Sequence, residues 1–133
     1  MTELSALKKI FLFKTIAVVG YSPKINRPSN FVSSYMEEKG YRIFPVNPRH
    51  ETIGNRRCYD SLIHINQKID IVNIFRRAEH VLPIVQDAID IKAQAIWMQD
   101  GIINENAEEI AKKSHLIVVK NDCIMRQHIR LKS

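Results

Sequence analysis

The sequence predicts an α/β fold, a doubly wound five-stranded parallel sheet, and three observations predict it. Five short apolar runs alternate with segments of helical periodicity. The runs are apolar at nearly every position rather than at every second one, as expected of strands buried on both faces. The segments between them can hold crossover helices, so the strands run parallel and the crossovers are right-handed.

Along the chain, Met1 to Lys14 is an amphipathic stretch with Glu3, Lys8 and Lys9 among apolar residues, which predicts a short helix over 1–13. TIAVVG, Thr15 to Gly20, is the first strand, stopped by glycine. Phe31, Val32, Tyr35 and Met36 recur on one face of a helix from Ser29 to Lys39, with Gly40 where a helix stop belongs. YRIFPVNP is the second strand, ended by Pro45 and Pro48, and Glu51 to Tyr59 reads as loop. Asp60 and Ser61 start a helical turn carrying Leu62, Ile63 and Ile65. DIVNIF, Asp70 to Phe75, is the third strand. A helix from Ala78 to Ile91 buries Val81, Ile84, Val85, Ala88 and Ile89, with Pro83 near its first turn, where a missing N–H matters least. AQAIWM, Ala93 to Met98, is the fourth strand, with Trp97 a core residue. Asn104 caps a helix through Lys113, LIVV at Leu116 to Val119 is the fifth strand, and Cys123 to Leu131 is a closing helix.

A chain of 133 residues fits one domain, here residues 1–133, and buries enough surface to need no disulfide staples. The composition, 45% hydrophobic and 26% charged, is that of an ordinary globular protein. Cys58 and Cys123 lack metal-ligand spacing and read as reduced thiols, which makes the cytoplasm the expected compartment. The N-terminus lacks the order of a secretion signal, and no apolar run approaches the roughly 20 residues of a membrane span. The net charge of +6 calls for a polyanionic partner or serves solubility. Without a basic stripe interleaved with aromatics, nucleic acid is not the expected partner. Apolar residues within Leu4 to Phe13 could support self-association into a homo-oligomer.

A doubly wound sheet binds ligands beyond the carboxyl ends of its strands, where the strand order reverses. The first such end is GYSPKINRPSN, Gly20 to Asn30. Gly20 permits a sharp turn and close approach of a phosphate. Arg27 brings a forked cation, Pro28 is pre-set for a first helical turn, and Ser29 offers a hydroxyl beside free N–H groups, so this helix start is an anion site. With only one of three fingerprint glycines and six residues between Gly20 and Arg27, the loop is not the dinucleotide motif. A structural turn with a solvated arginine is the competing reading.

After the second strand, Val46, Asn47, Pro48, Arg49 and His50 stand where a NAD site would place an acid for the ribose hydroxyls. A base in place of the acid suits a phosphorylated ribose, which leaves NADP and coenzyme A. After the third strand, Phe75 could wall a slot while Arg76 or Arg77 faces phosphates. After the fourth, Gln99, Asp100 and Gly101 reach the same rim, and Gln99 could bond an amide-rich ligand tail.

The runs IAVVGYSP, RPSN, PVNPR, DIVNIFRR, AIWMQDGI and NDCIMRQHIRL together resemble the small stand-alone CoA-binding proteins, which are similar in turn to the N-terminal domain of the succinyl-CoA synthetase α subunit. The resemblance covers Lys14 to Leu131 and implies a Rossmann-like CoA-binding domain whose ligand is coenzyme A or an acyl-CoA. It would put the CoA phosphates near Gly20, Ser22, Arg27, Pro28 and Ser29, and the adenosine end near Val46, Asn47, Pro48 and Arg49. Phe75, Arg76 and Gln99 would line the groove. Two departures stand out. Tyr21 occupies a position where such loops often carry a small residue, so it could narrow the entrance or stack on the ligand, and Asp100 replaces a frequently uncharged residue.

The synthetase chemistry needs a second domain with a phosphorylatable histidine. The five histidines here show neither metal spacing nor pairing with a nucleophile. The resemblance therefore implies a carrier or sensor of CoA without turnover. An NADP-dependent oxidoreductase is the alternative, lowered by the lack of a Tyr-x-x-x-Lys pairing after the fourth strand. A nucleic-acid-associated protein exploiting the charge is a third reading. Cys123, after the fifth strand, is a candidate for thiol exchange with CoA disulfide.

Overall fold

The computed structural model describes residues 3–132. Its elements in order are α1 (Glu3–Ile10), β1 (Thr15–Val19), α2 (Pro28–Glu38), β2 (Arg42–Val46), β3 (Thr52–Ile53), β4 (Arg56–Arg57), β5 (Ile71–Ile74), α3 (Val81–Asp90), β6 (Ala95–Met98), α4 (Glu105–Lys113), β7 (Ile117–Val119) and α5 (Ile124–Lys132), with 3-10 turns at Leu62–His64 and Ala78–His80. The N-terminal helix is thus shorter than the predicted 1–13, and Met1 and Thr2 lie outside the described residues.

Five strands form one parallel sheet in the order β2-β1-β5-β6-β7. The chain steps outward from β1 to β2, then returns across β1 to β5 and continues the other way. The order therefore reverses between β1 and β5, and the crevice above their carboxyl ends is where such a sheet takes a ligand.

Strand alternation sorts the core into two layers. Ala17, Val19, Val72, Ile74, Ile96 and Met98 point to the face covered by α3 and α4. Ile16, Val18, Ile71, Ala95 and Trp97 point to the face covered by α1, α2 and α5. Each fully buried aliphatic side chain contributes about 1.5–3 kcal/mol. Trp97 is wholly buried, and its indole N–H donates to the Asp122 carbonyl at 2.9 Å, which ties β6 to the start of α5.

Two local expectations are corrected. Pro45 does not end the second strand but sits inside β2, opposite Val18. β2 is the edge of the sheet, where a missing N–H leaves no ladder bond unmade. The segment 51–59 is not plain loop. It folds into the β3–β4 hairpin around Gly54 and Asn55, with Gly54 at φ +64°. It then returns beside the β2 edge, where the Tyr59 N–H donates to the Pro45 carbonyl at 2.9 Å and the Asn47 N–H to the Tyr59 carbonyl at 2.8 Å.

His128 of α5 is buried among the rings of Phe11, Tyr35 and Tyr41, with centroids 5.2, 5.5 and 5.9 Å away, and its Nδ1 is 2.8 Å from the Tyr35 hydroxyl. Burial first, then the Lys132 and Lys39 cations, pushes the His128 pKa down. A base whose folded-state pKa is depressed adds stability that is present above the unfolded value of about 6.5 and is lost as pH falls through the folded value. Thermal melts are therefore expected to fall as pH drops below about 6.5, and to fall less steeply in His128→Gln. Equal slopes in the two proteins would show that His128 does not carry the effect.

Candidate functional site

Gly20 adopts φ +90°, and a Cβ added there would lie 2.6 Å from the Phe75 carbonyl oxygen and 3.0 Å from Arg76 Cδ. Its bare side therefore faces the loop after β5, not an open cradle for phosphate. Glycine is required because the two loops touch at the point where the strand order reverses.

Tyr21 departs further from expectation. Its ring is 1% exposed, lies in the core beneath α2, and its hydroxyl accepts a bond from Arg56 Nη1 at 3.1 Å. Arg56 is itself held by the Glu37 carboxylate. Burial pushes the Tyr21 phenol up, with Arg56 opposing. The ring neither narrows an entrance nor is placed to stack on a ligand. The Tyr21 N–H remains, without a partner among the described residues.

The rest of the loop is fastened to itself. The Ser22 N–H donates to Ser29 Oγ at 2.9 Å, and Asn30 Nδ2 donates to the Ser22 carbonyl at 2.9 Å. Arg27 is the N-cap of α2 in extended conformation, with no side-chain cap on the helix and Pro28 at its start. The Ser29 N–H is likewise unpartnered among the described residues. The exposed Arg27 guanidinium has no carboxylate partner there either. An uncapped helix start with a free forked cation is an arrangement that attracts phosphate.

After β2, Val46 is buried and its carbonyl accepts the Gly20 N–H at 2.9 Å. Asn47 braces the region. Its Nδ2 donates to the Tyr21 carbonyl at 2.9 Å, while its Oδ1 accepts the Arg49 N–H at 3.0 Å. Pro48 and Arg49 are exposed.

A groove of about 860 Å³ opens between α2, α5 and the loops after β5 and β6. Small-molecule clefts span about 300–1,000 Å³. Of the residues singled out in the sequence, Pro28, Phe75, Arg76 and Gln99 line this groove, together with Arg77, Asp100, Gly101 and Cys123. Gly20, Tyr21, Ser22, Arg27, Ser29 and Val46 to Arg49 do not; they form or brace the neighbouring rim.

Gln99 is 4% exposed, and its Oε1 accepts the Ile124 N–H at 3.1 Å, so it caps α5.

Phe31, Met125 and Ile129 also line the groove, and sequence reasoning missed them as site residues. Phe31 belongs to the predicted buried face of α2 but is 42% exposed. Its place in the stripe goes to Ser33, whose hydroxyl turns back to the Ser29 carbonyl at 2.6 Å. Met125 and Ile129, four apart and so on one face of α5, were the signal for the opposite wall.

Arg126 closes the far side. It bonds both Asp100 oxygens, at 3.0 and 2.7 Å, and Asp122 at 2.9 Å. The Arg126 guanidinium holds the Asp100 carboxyl below the usual carboxylate range. Cys123 is buried at the same wall, with its N–H donating to Asp122 Oδ1 at 2.8 Å.

Charge therefore changes sign from the rim beside β1, β2 and β5 to the far wall of the groove. On the β1–β5 side Arg27, Arg49 and Arg76 have no carboxylate partner among the described residues, and Arg77 reaches only Glu79, at 4.0 Å. On the β6–β7 side two carboxylates share one guanidinium.

The groove lies at the strand-order reversal of a Rossmann-like sheet, where domains of this class take small ligands. Comparison with known proteins specifies the class. Residues 14–129 match the CoA binding domain family, and the chain belongs to that family. It is 37% identical over 115 residues to the uncharacterized protein YneT of Bacillus subtilis, covering 86% of this chain and 85% of that one. It is 30% identical over 120 residues to an ADP-forming acetate–CoA ligase of Archaeoglobus fulgidus, covering 80% of this chain and 18% of the ligase. The chain thus spans under a fifth of that relative's length. Among solved structures, a hypothetical protein from Pyrococcus horikoshii superposes with TM-score 0.94 at 37% identity, covering 100% of this chain and 94% of that one. No helix among the described residues is long and apolar enough to cross a membrane.

Proposed function

We propose that this protein binds coenzyme A or an acyl-CoA and acts as a carrier or sensor of it, without turnover of its own. The observation that carries the reading is the uncapped start of α2, where the Tyr21 and Ser29 N–H groups and the Arg27 side chain are all unengaged beside the β1–β5 crevice. A diphosphate suits that set, because backbone donors and a forked cation meet its oxygens without a carboxylate competing. Arg49 and Arg76 suit the further phosphate of the adenosine end, and Phe75 and Gln99 suit the pantetheine arm. When bound, CoA supplies a thiol or thioester; the chain's own residues hold and orient it. The non-catalytic role is supported by the groove's chemistry. Its lining carboxylate, Asp100, is engaged with Arg126.

The test is a thermal melt with CoA and NADP in parallel. A ligand at 100 times its Kd adds about 2.7 kcal/mol to stability. CoA is expected to raise the Tm and NADP to leave it unchanged. A rise with NADP alone would replace the CoA reading with a dinucleotide one.

A further inference from the structure

The groove is unlike in its two ends. Toward β5 it carries Arg76, without a carboxylate partner among the described residues, and Arg77; toward β6 and α5 it carries Phe31, Met125 and Ile129, exposed or half-buried, and ends at Asp100 and Arg126, with Asp122 behind the guanidinium. Two carboxylates against one guanidinium leave that end with one negative charge in excess. The pantetheine arm has amides and a hydroxyl to satisfy, yet among the described residues the groove wall offers only the Gln99 amide and the Cys123 thiol as neutral polar side chains. The remaining wall is largely apolar: Phe31, Val32, Phe75, Ile102, Met125 and Ile129.

We propose that the β6–α5 end of the groove is an acyl pocket selective for uncharged aliphatic acyl groups, so that the preferred ligand is a short-chain aliphatic acyl-CoA rather than free CoA or a thioester ending in a carboxylate. The inference rests on the CoA reading above. Phe31 and Ile129 form the apolar clamp, from α2 and α5 respectively, and the flexible Met125 thioether fills around the chain. Asp100 sets the charge selection: a terminal carboxylate entering this end meets the Asp100 carboxylate, and the one guanidinium there, Arg126, is already held by Asp100 and by Asp122 behind it.

The experiment is calorimetric titration of the purified protein with CoA, hexanoyl-CoA and succinyl-CoA. Each methylene fully removed from water is worth roughly fourfold in affinity, and for a chain buried on one side only about tenfold is expected for hexanoyl-CoA over CoA. Succinyl-CoA is expected to bind no tighter than CoA. In Ile129→Asn, a change at a half-exposed position, the hexanoyl-to-CoA ratio is expected to fall below about threefold. In Asp100→Asn the succinyl-to-CoA ratio is expected to rise. Tight CoA binding with no hexanoyl advantage, or with succinyl-CoA matching hexanoyl-CoA, would overturn the acyl pocket while leaving the CoA reading intact. Failure of all three ligands to bind would overturn both.

Discussion

Gly20→Ala is expected to lower the unfolding free energy by roughly 2–4 kcal/mol. Two costs combine. The backbone sits at φ +90°, outside the regions open to residues with a side chain. The new methyl would also meet the Phe75 carbonyl oxygen at 2.6 Å, a backbone atom fixed by its place at the end of β5. The Phe75 N–H is bonded to the Val19 carbonyl at 2.9 Å and the Gly20 N–H to the Val46 carbonyl at 2.9 Å, so three strand ends must shift together to make room. Urea denaturation reads the effect as a lower midpoint. A midpoint within experimental error of the parent would mean that the β1 and β5 loops are not in the close contact described.

Arg27→Glu is expected to weaken CoA binding by at least about 100-fold while leaving the melting temperature of the free protein nearly unchanged. The first part follows from losing a charge-assisted bond, worth about 1.5–3 kcal/mol, and placing a carboxylate against phosphates. The second follows from the exposure of Arg27 and its lack of a side-chain partner among the described residues. Titration calorimetry and a melt on the same sample separate the two. Unchanged affinity would remove the phosphates from the α2 start. A large fall in the melting temperature would instead give Arg27 a structural role.

The layered fold was readable because the strands β1, β5 and β6 are apolar at nearly every position, and only burial on both faces makes such a run. Strand order was not in the pattern. The reversal between β1 and β5 rests on which strand ends meet, and the need for glycine at Gly20 expresses that contact. Pro45 misled because a proline reads as a strand stop unless the strand is known to be an edge. The Gly54–Asn55 turn is a hairpin signal, but strands of two residues carry too little alternation to be seen.

At the site, residue types were legible and their engagements were not. Asn47 and Gln99 read as ligand donors, yet each spends hydrogen bonds on the protein itself, Asn47 bracing the first loop and Gln99 capping α5. Tyr21 reads as a rim residue because its neighbours are polar; Arg56, brought in by the unforeseen hairpin, holds its hydroxyl inside. Phe31 shows the converse. It matches the apolar stripe of α2 by spacing, but the stripe turns toward Ser33, and the phenyl is left at the groove.

The claim on which the function depends is that amides at the β1 end and the α2 start receive phosphate. Amide proton–nitrogen spectra of the labelled protein, followed through a CoA titration, test it at those atoms. The account predicts saturable shifts centred on Tyr21 and Ser29, reproduced in part by adenosine 3′,5′-bisphosphate and lost in Arg27→Glu. Shifts clustered instead around Phe11, Tyr35 and His128, or none at these two amides at saturating CoA, would contradict it.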